Sequence, residues 1–403
     1  MPAKALDLLR YSPPYSDESL AGYLLRLAEK NHYQSPNWIL QLAGLKANRG
    51  IDLSLNRKQP SRLSQLVKVN DEQLKMMATG AVVRFKQCRY VIYNYAQKLC
   101  PQCLKQALYC RRLWDDKHLK ACPFHGCRLM QECPQCQQAI KWSRPGVSRC
   151  QCGFDFRDSQ AAEASSYQVK LSLYLYGLDG HQDCQKAIQA LYGADNPIFE
   201  LTLSQFTRLS SFLGSLIRTY QRSQRCLALN KIILTDWEFK KENLSNCELI
   251  LDFFEQWQDN FPHLLGWYEC QLTTTGRLRK WLPEKVYFIV ELSSYFSGHC
   301  PFSEYLCHYL VEFLKSQGID QIEIVWLSHA QRRSKSLFLK DLESWLPSVA
   351  KEFYFPHLNL VQLIYSSQEA MWLFPSQLEP SGVMILRNPE PQLLEWKLRD
   401  WSW

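Results

Sequence analysis

Apolar residues recur at helical spacing through the first hundred positions. Leu20, Leu24, Leu27 and Ala28 share one face of a helix that Ser16 or Asp17 can cap. Ser35-Pro36 starts a second helix, the serine capping and the proline taking the first helical position, with Trp38, Leu42 and Leu45 as its buried stripe. A polar stretch from Asn48 to Pro60 leads to Leu63, Leu66 and Val67. Asn70-Asp71-Glu72-Gln73 then reads as a capping box opening onto Leu74 and Met77. Short helices on tight turns predict a helix-turn-helix-like domain over residues 1–97, although any small helical bundle shows the same pattern.

Further along, Tyr167 to Tyr192 reads as a helix pair broken at Gly177 and Gly180. Thr202 to Tyr220 and Cys247 to Trp257 are amphipathic helices within a helical domain over 159–282. From about Pro283 the period changes. Residues 286–290, 322–327 and 360–365 read as strands, and Pro301 to Ser316 and Ser336 to Ala350 as helices between them. The fold class expected is thus multidomain and mainly α, the helical carboxyl-terminal region ending in a mixed α/β or helical domain over 283–403.

The segment between, residues 98–158, carries chemistry. Cys100-Pro-Gln-Cys103 is followed by Cys122-Pro-Phe-His125, and Cys133-Pro-Gln-Cys136 by Cys150-Gln-Cys152. Pairs of soft donors on tight turns supply the four thiolate or imidazole ligands of tetrahedral zinc with little chain ordering. Two consecutive quartets predict a tandem zinc-finger module with two structural Zn2+ ions and no coordination position left for water. Cys127, two residues after His125, competes for the fourth position of the first quartet, and Cys110 and His118 fall inside its loop. A disulfide framework would require an oxidising compartment, to which nothing in the chain points. The ligand order also resembles a RING ubiquitin-ligase module, whose two sites interleave. Seven residues between His125 and Cys133 favour consecutive fingers instead.

Leu99-Cys100-Pro101-Gln102-Cys103-Leu104, Tyr109-Cys110-Arg111-Arg112-Leu113-Trp114-Asp115 and Ala121-Cys122-Pro123-Phe124-His125-Gly126 resemble the TniQ family of transposon target-selection proteins. So do Leu129-Met130, Cys133-Pro134-Gln135-Cys136 and Cys150-Gln151-Cys152-Gly153-Phe154. The opening Pro14-Tyr15-Ser16-Asp17-Glu18-Ser19-Leu20, the stretch Leu201 to Tyr220 and Leu234-Thr235-Asp236-Trp237 extend the likeness over about the first 260 residues. The resemblance implies a non-enzymatic adaptor that links target recognition to a TnsC-like AAA+ ATPase. Recognition comes either from a CRISPR Cascade ribonucleoprotein, whose guide RNA reads the DNA, or, in TnsD-like members, from direct binding of an attachment site.

Charge supports a nucleic-acid role for the front half. Residues 1–160 hold 25 Lys and Arg against 12 Asp and Glu, and the remainder is net acidic, within a total of +8. Arg84, Lys86 and Arg89 interleave with aromatic residues, and Arg111, Arg112 and Lys117 follow in the first finger. Arg277 with Arg279, and Arg332 with Arg333, form two later clusters. All are candidates for phosphates of double-stranded DNA or for a partner's acidic face. A homodimer is also open. Neither a phosphate-binding loop, nor G-x-G-x-x-G, nor H-E-x-x-H occurs, and Asp115-Asp116-Lys117-His118 is a weak nuclease candidate, so no catalytic residues are assigned. Without a signal peptide or a membrane-length apolar run, the bacterial cytoplasm is expected. Cysteines outside the quartets are expected as buried thiols.

Overall fold

The computed structural model describes residues 8, 10–45, 51–52, 61–78, 89–90, 97–229 and 244–274, single positions between 292 and 312, and the strand segments 321–327, 332–338, 362–366, 369–373 and 381–387. The chain divides into two compact units, Met1–Leu191 and Tyr192–Trp403. Among the described residues no helix is long and apolar enough to cross a membrane.

The first unit begins with α1 (Leu20–Lys30), capped by Ser19 rather than by Ser16 or Asp17. A turn from Tyr15 to Glu18 delays the helix, and the Ser19 hydroxyl then accepts the Gly22 N–H at 3.0 Å. In α2 (Asn37–Leu42), Pro36 is the N-cap and not the first helical residue, and no side chain caps the helix, although Ser35 Oγ accepts the Asn37 N–H at 3.3 Å. The face that α2 buries holds Ile39 and Leu40, with Ala43 just beyond the helix, so the stripe expected from Trp38, Leu42 and Leu45 is corrected. Trp38 stands 54% exposed while Leu42 and Leu45 are only partly covered, because the short helix packs through the neighbouring side of its circumference. A two-residue ladder joins β1 (Ile51–Asp52) to β2 (Arg89–Tyr90).

Ser61 caps α3 (Arg62–Val67), and Lys68 in the left-handed conformation turns the chain. Asn70 then accepts the Gln73 N–H at 2.7 Å to open α4 (Asp71–Ala78). A three-residue turn, 68–70, joins these two helices. Leu20, Tyr23, Leu24, Leu27, Ile39, Leu63 and Leu74 form its core, and Trp142, from the cysteine-rich segment, packs into the same core.

The cysteine-rich segment is thereby bonded to the helices. Ser19 N–H donates to Cys110 O at 2.9 Å, Arg112 N–H to Asp17 O at 2.6 Å, and Val147 N–H to the Glu29 carboxylate at 2.9 Å. Its own first helix is α5 (Pro101–Gln106). Downstream, α6 (Ser166–Leu178) starts on a full capping box of Ser165 and Gln168. Gly180, at φ +94°, turns it into α7 (Gln182–Tyr192), close to the expected helix pair.

In the second unit, α8 (Leu203–Leu229) runs beyond the expected end at Tyr220. Ser245 and Glu248 form a capping box for α9 (Asn246–Glu255). Gln256, at φ −136° and ψ 51°, breaks α9 from α10 (Trp257–Thr274). Phe254, Trp257, Phe261 and Phe302 meet edge to face at centroid distances of 5.1–5.4 Å. The described positions from 302 to 312 are helical, within the helix expected over 301–316.

The strands β3 (Gln321–Leu327), β4 (Arg332–Phe338), β5 (Gln362–Ser366), β6 (Glu369–Leu373) and β7 (Ser381–Arg387) form one sheet of order β4-β3-β7-β6-β5. Every neighbouring pair is antiparallel. Strands are present in the domain expected to be mixed, and the helix expected at 336–350 is corrected at its start. The helix placed at 336–350 begins inside β4, and only residues 328–331 join β3 to β4, too few for the crossover a parallel pair needs. The strands expected at 322–327 and 360–365 fall on β3 and overlap β5. The strand expected at 286–290 lies outside the described residues.

Candidate metal centres

The donor atoms of Cys100, Cys103, Cys122 and His125 lie within 4.8 Å of one another, and so do those of Cys133, Cys136, Cys150 and Cys152. Each group can hold a metal ion. They assemble as consecutive quartets, not in the alternating order of a cross-braced module.

Local structure explains each half-site. Cys100 is the N-cap of α5, its Sγ accepting the Cys103 N–H at 3.4 Å, and Pro101 occupies the first turn. A thiolate there faces the positive end of the helix dipole. The other three half-sites are turns of one kind, the last shorter by a residue. Cys122 N–H donates to Cys127 O at 2.8 Å and Gly126 N–H to Cys122 O at 2.9 Å. Cys133 is bonded likewise to Gln138 and Gln137, and Cys150 to Phe154 and Gly153. The residue after the second donor is left-handed each time: Gly126 at φ +60°, Gln137 at +57° and Gly153 at +92°. Glycine suits that backbone, and Gln137 adopts it under strain.

Distances inside the first quartet match a tetrahedron. His125 Nδ1 is 3.4 Å from each of the Cys100, Cys103 and Cys122 sulfurs, and Cys103 Sγ is 3.5 Å from Cys122 Sγ. Ligands of one zinc ion are separated by about 3.6–3.8 Å, given Zn–S near 2.3 Å and Zn–N near 2.05 Å. In the second quartet Cys133 and Cys152, and Cys136 and Cys150, each approach to 3.7 Å. The first site is buried, whereas Cys152 of the second is exposed.

Thiols this close cannot all ionise without a cation. Hydrogen bonds from Cys103, Cys122 and Cys127 hold the Cys100 thiol far below its ordinary range. The hydrogen bond to Cys100 in turn pushes Cys103 up to about 12. Burial pushes Cys150 up to about 12, while the Phe154 N–H lowers Cys152 to about 7. A divalent ion would remove this conflict by stabilising every thiolate at once.

Cys127 is a fourth buried thiol, and a fifth donor, beside the first site, with its Sγ 3.6 Å from Cys100 Sγ. Cys110 is not among the donors; its sulfur accepts from Arg144 Nη2 at 3.4 Å. Arg144, to which no sequence pattern draws attention, is fully buried and spends its guanidinium on Gln97, Lys141 O, Val147 O and Cys110. His118 N–H donates to Asp116 Oδ1 at 2.7 Å, so buried Asp116 shapes the loop.

Arg111 and Arg112 are tied inside the unit. Arg111 pairs with Asp17 and stacks on Phe124, 4.7 Å from the ring centre; Arg112 pairs with Asp179 at 2.6 Å. Burial works against the Arg111 charge, but Asp17, Tyr109, Cys103 and Tyr176 together outweigh it and raise its pKa. Lys117 is exposed, and Arg89, Arg332 and Arg333 lie on β2 and β4. Arg84, Lys86, Arg277 and Arg279 lie outside the described residues. Of the thiols expected to be buried, Cys184 and Cys247 are.

The family model described as TniQ matches residues 10–129, which takes in α1 to α5 and the whole first quartet. Cys133 to Cys152 follow the matched segment. No curated protein matches the chain.

Proposed function

We propose that this chain, which carries a TniQ domain over residues 10–129, is a non-enzymatic target-selection adaptor of DNA transposition. The family match carries the reading, and it falls on the unit that also holds both donor quartets. Cys100, Cys103, Cys122 and His125 would hold one Zn2+, and Cys133, Cys136, Cys150 and Cys152 a second. Soft thiolate and imidazole donors in tetrahedral array suit zinc over harder cations. With all four positions supplied by protein, the ions would cross-link a segment whose helical content is small. They would not activate water.

In this reading the protein bridges a target-recognition complex, a CRISPR Cascade with its guide RNA, to a TnsC-like AAA+ ATPase in the bacterial cytoplasm. Two features favour a bridge over a TnsD-like direct reader. Helix α4, which follows the tight turn, opens with Asp71 and Glu72, and carboxylates at that end repel phosphate. Arg111 and Arg112 are engaged by Asp17 and Asp179. Phosphate contact then falls to Lys117 and to the clusters at Arg84, Lys86 and Arg89, at Arg277 and Arg279, and at Arg332 and Arg333. Their contribution should be independent of sequence and steeply dependent on salt.

The test is a fluorescence titration of the full chain with a candidate attachment site and with scrambled DNA, alongside capture of a TnsC-like ATPase without target DNA. An adaptor binds the ATPase and both DNAs weakly and about equally. Preference for one sequence by roughly a thousandfold would instead mark a direct reader.

A further inference from the structure

Resting on the zinc reading above, we propose that the first centre has two interchangeable fourth ligands, His125 and Cys127. Four donors converge, as a tetrahedral ion requires, and a fifth, Cys127, stands beside them. His125 Nδ1 caps the triangle of Cys100, Cys103 and Cys122 sulfurs at 3.4 Å from each. Cys127 Sγ lies 3.6 Å from Cys100 Sγ, a separation typical of two ligands on one ion. The geometry has a local cause. His125 and Cys127 flank Gly126, whose left-handed backbone turns the chain between them. The Cys122 N–H bond to Cys127 O fixes Cys127 on the same turn. The isolated bridge from Cys127 to Glu163 holds it from the other side. Cys127 is 4% exposed, so its thiol faces the cluster instead of water. The second quartet has no such spare donor: Gln138 stands where Cys127 stands in the first turn.

With imidazole bound, the Cys127 thiol donates a hydrogen bond to the Cys100 thiolate and withdraws charge from it. Were the imidazole to leave, the Zn–N bond would break and Cys127 would supply a Zn–S bond in its place. The Cys127 proton passes to the freed His125 ring, or to water where that ring has been removed. The centre changes from three thiolates and an imidazole to four thiolates without losing its ion.

Cobalt replaces zinc for the test, because its sulfur charge-transfer band reports thiolate ligation independently of transposition. The full chain is loaded with Co2+, the metal is counted, and folding is followed by circular dichroism. The wild type should hold two ions. His125→Ala should still hold two, with the band rising by about one part in seven as seven thiolates become eight. Cys127→Ala should match the wild type, and the double variant should hold one ion. Loss of the first ion, or of the fold, in His125→Ala alone would overturn the exchange, as would loss of an ion in Cys127→Ala alone. A wild type holding no metal would overturn the zinc reading and this proposal with it.

Discussion

Replacing Gly22 with alanine should destabilise the first unit, although alanine is the better helix former. Gly22 lies on the buried face of α1 where that helix crosses the cysteine-rich segment. A Cβ there would sit 2.6 Å from Cys110 Cβ, 2.9 Å from Ser19 Oγ and 3.2 Å from Cys110 O. These neighbours are backbone or backbone-proximal atoms, and Cys110 O is held by the Ser19 N–H, so none can swing aside cheaply. Alanine gains about 1 kcal/mol of helix propensity, while overpacking costs about 1–3 kcal/mol. The contact at 2.6 Å places the cost in the upper part of that range, for a net loss of about 1–2 kcal/mol. Gly266 is the control, since it lies exposed in α10 and no atom stands within 4 Å of its missing Cβ. There the same substitution should stabilise by about 0.5–1 kcal/mol. Urea unfolding followed by circular dichroism, with zinc release reporting the first unit, measures both. A Gly22→Ala protein as stable as wild type would refute the close approach of α1 to Cys110, and with it the joint between helices and cysteine-rich segment.

Three further outcomes are expected. Cys103→Ser and Cys136→Ser should each lower the zinc content from about two ions to one and unfold their part of residues 98–156, because metal binding and folding are coupled; elemental analysis and hydrogen exchange check this, and unchanged metal in either variant contradicts the ligand sets. Burial raises the Glu18 pKa above 4.5 against the opposing pull of Arg26. The folded state therefore binds more protons than the unfolded one just above that pH, and stability falls as pH rises through the window. Glu18→Gln should flatten that slope in urea titrations run at successive pH values, and an unchanged slope would remove Glu18 as its source. Ser245→Ala removes the capping box of α9 and should cost about 1 kcal/mol; a loss within error would show that packing alone fixes the start of that helix.

Much of the candidate site was legible because its donor pairs are local. Each half-site is a stretch of a few residues whose turn, proline and donors are contiguous, so spacing alone paired Cys100 with Cys103 and Cys133 with Cys136. The helices around Leu24, Leu74 and Leu209 were legible for the same reason, period and caps being short-range properties. Cap positions were harder. Ser16, Asp17 and Ser19 are equally good caps by residue type, and the bonds of Asp17 to Tyr109 and Arg111 decide against it.

What the sequence determined by itself was the donor inventory, the helical front half and the basic bias of residues 1–160. Tertiary structure decided which of those residues are free. Arg111 and Arg112 are paired with Asp17 and Asp179, far away in the chain, which spacing along the sequence does not reveal. Trp38 read as core by period and stands in solvent. The carboxyl-terminal strands pair in an antiparallel order that alternating apolar runs cannot specify, since partner choice depends on neighbours distant in sequence. The fourth thiol at the first centre is likewise a matter of folding. Counting cysteines finds Cys127, but only the left-handed turn at Gly126 sets its sulfur beside Cys100.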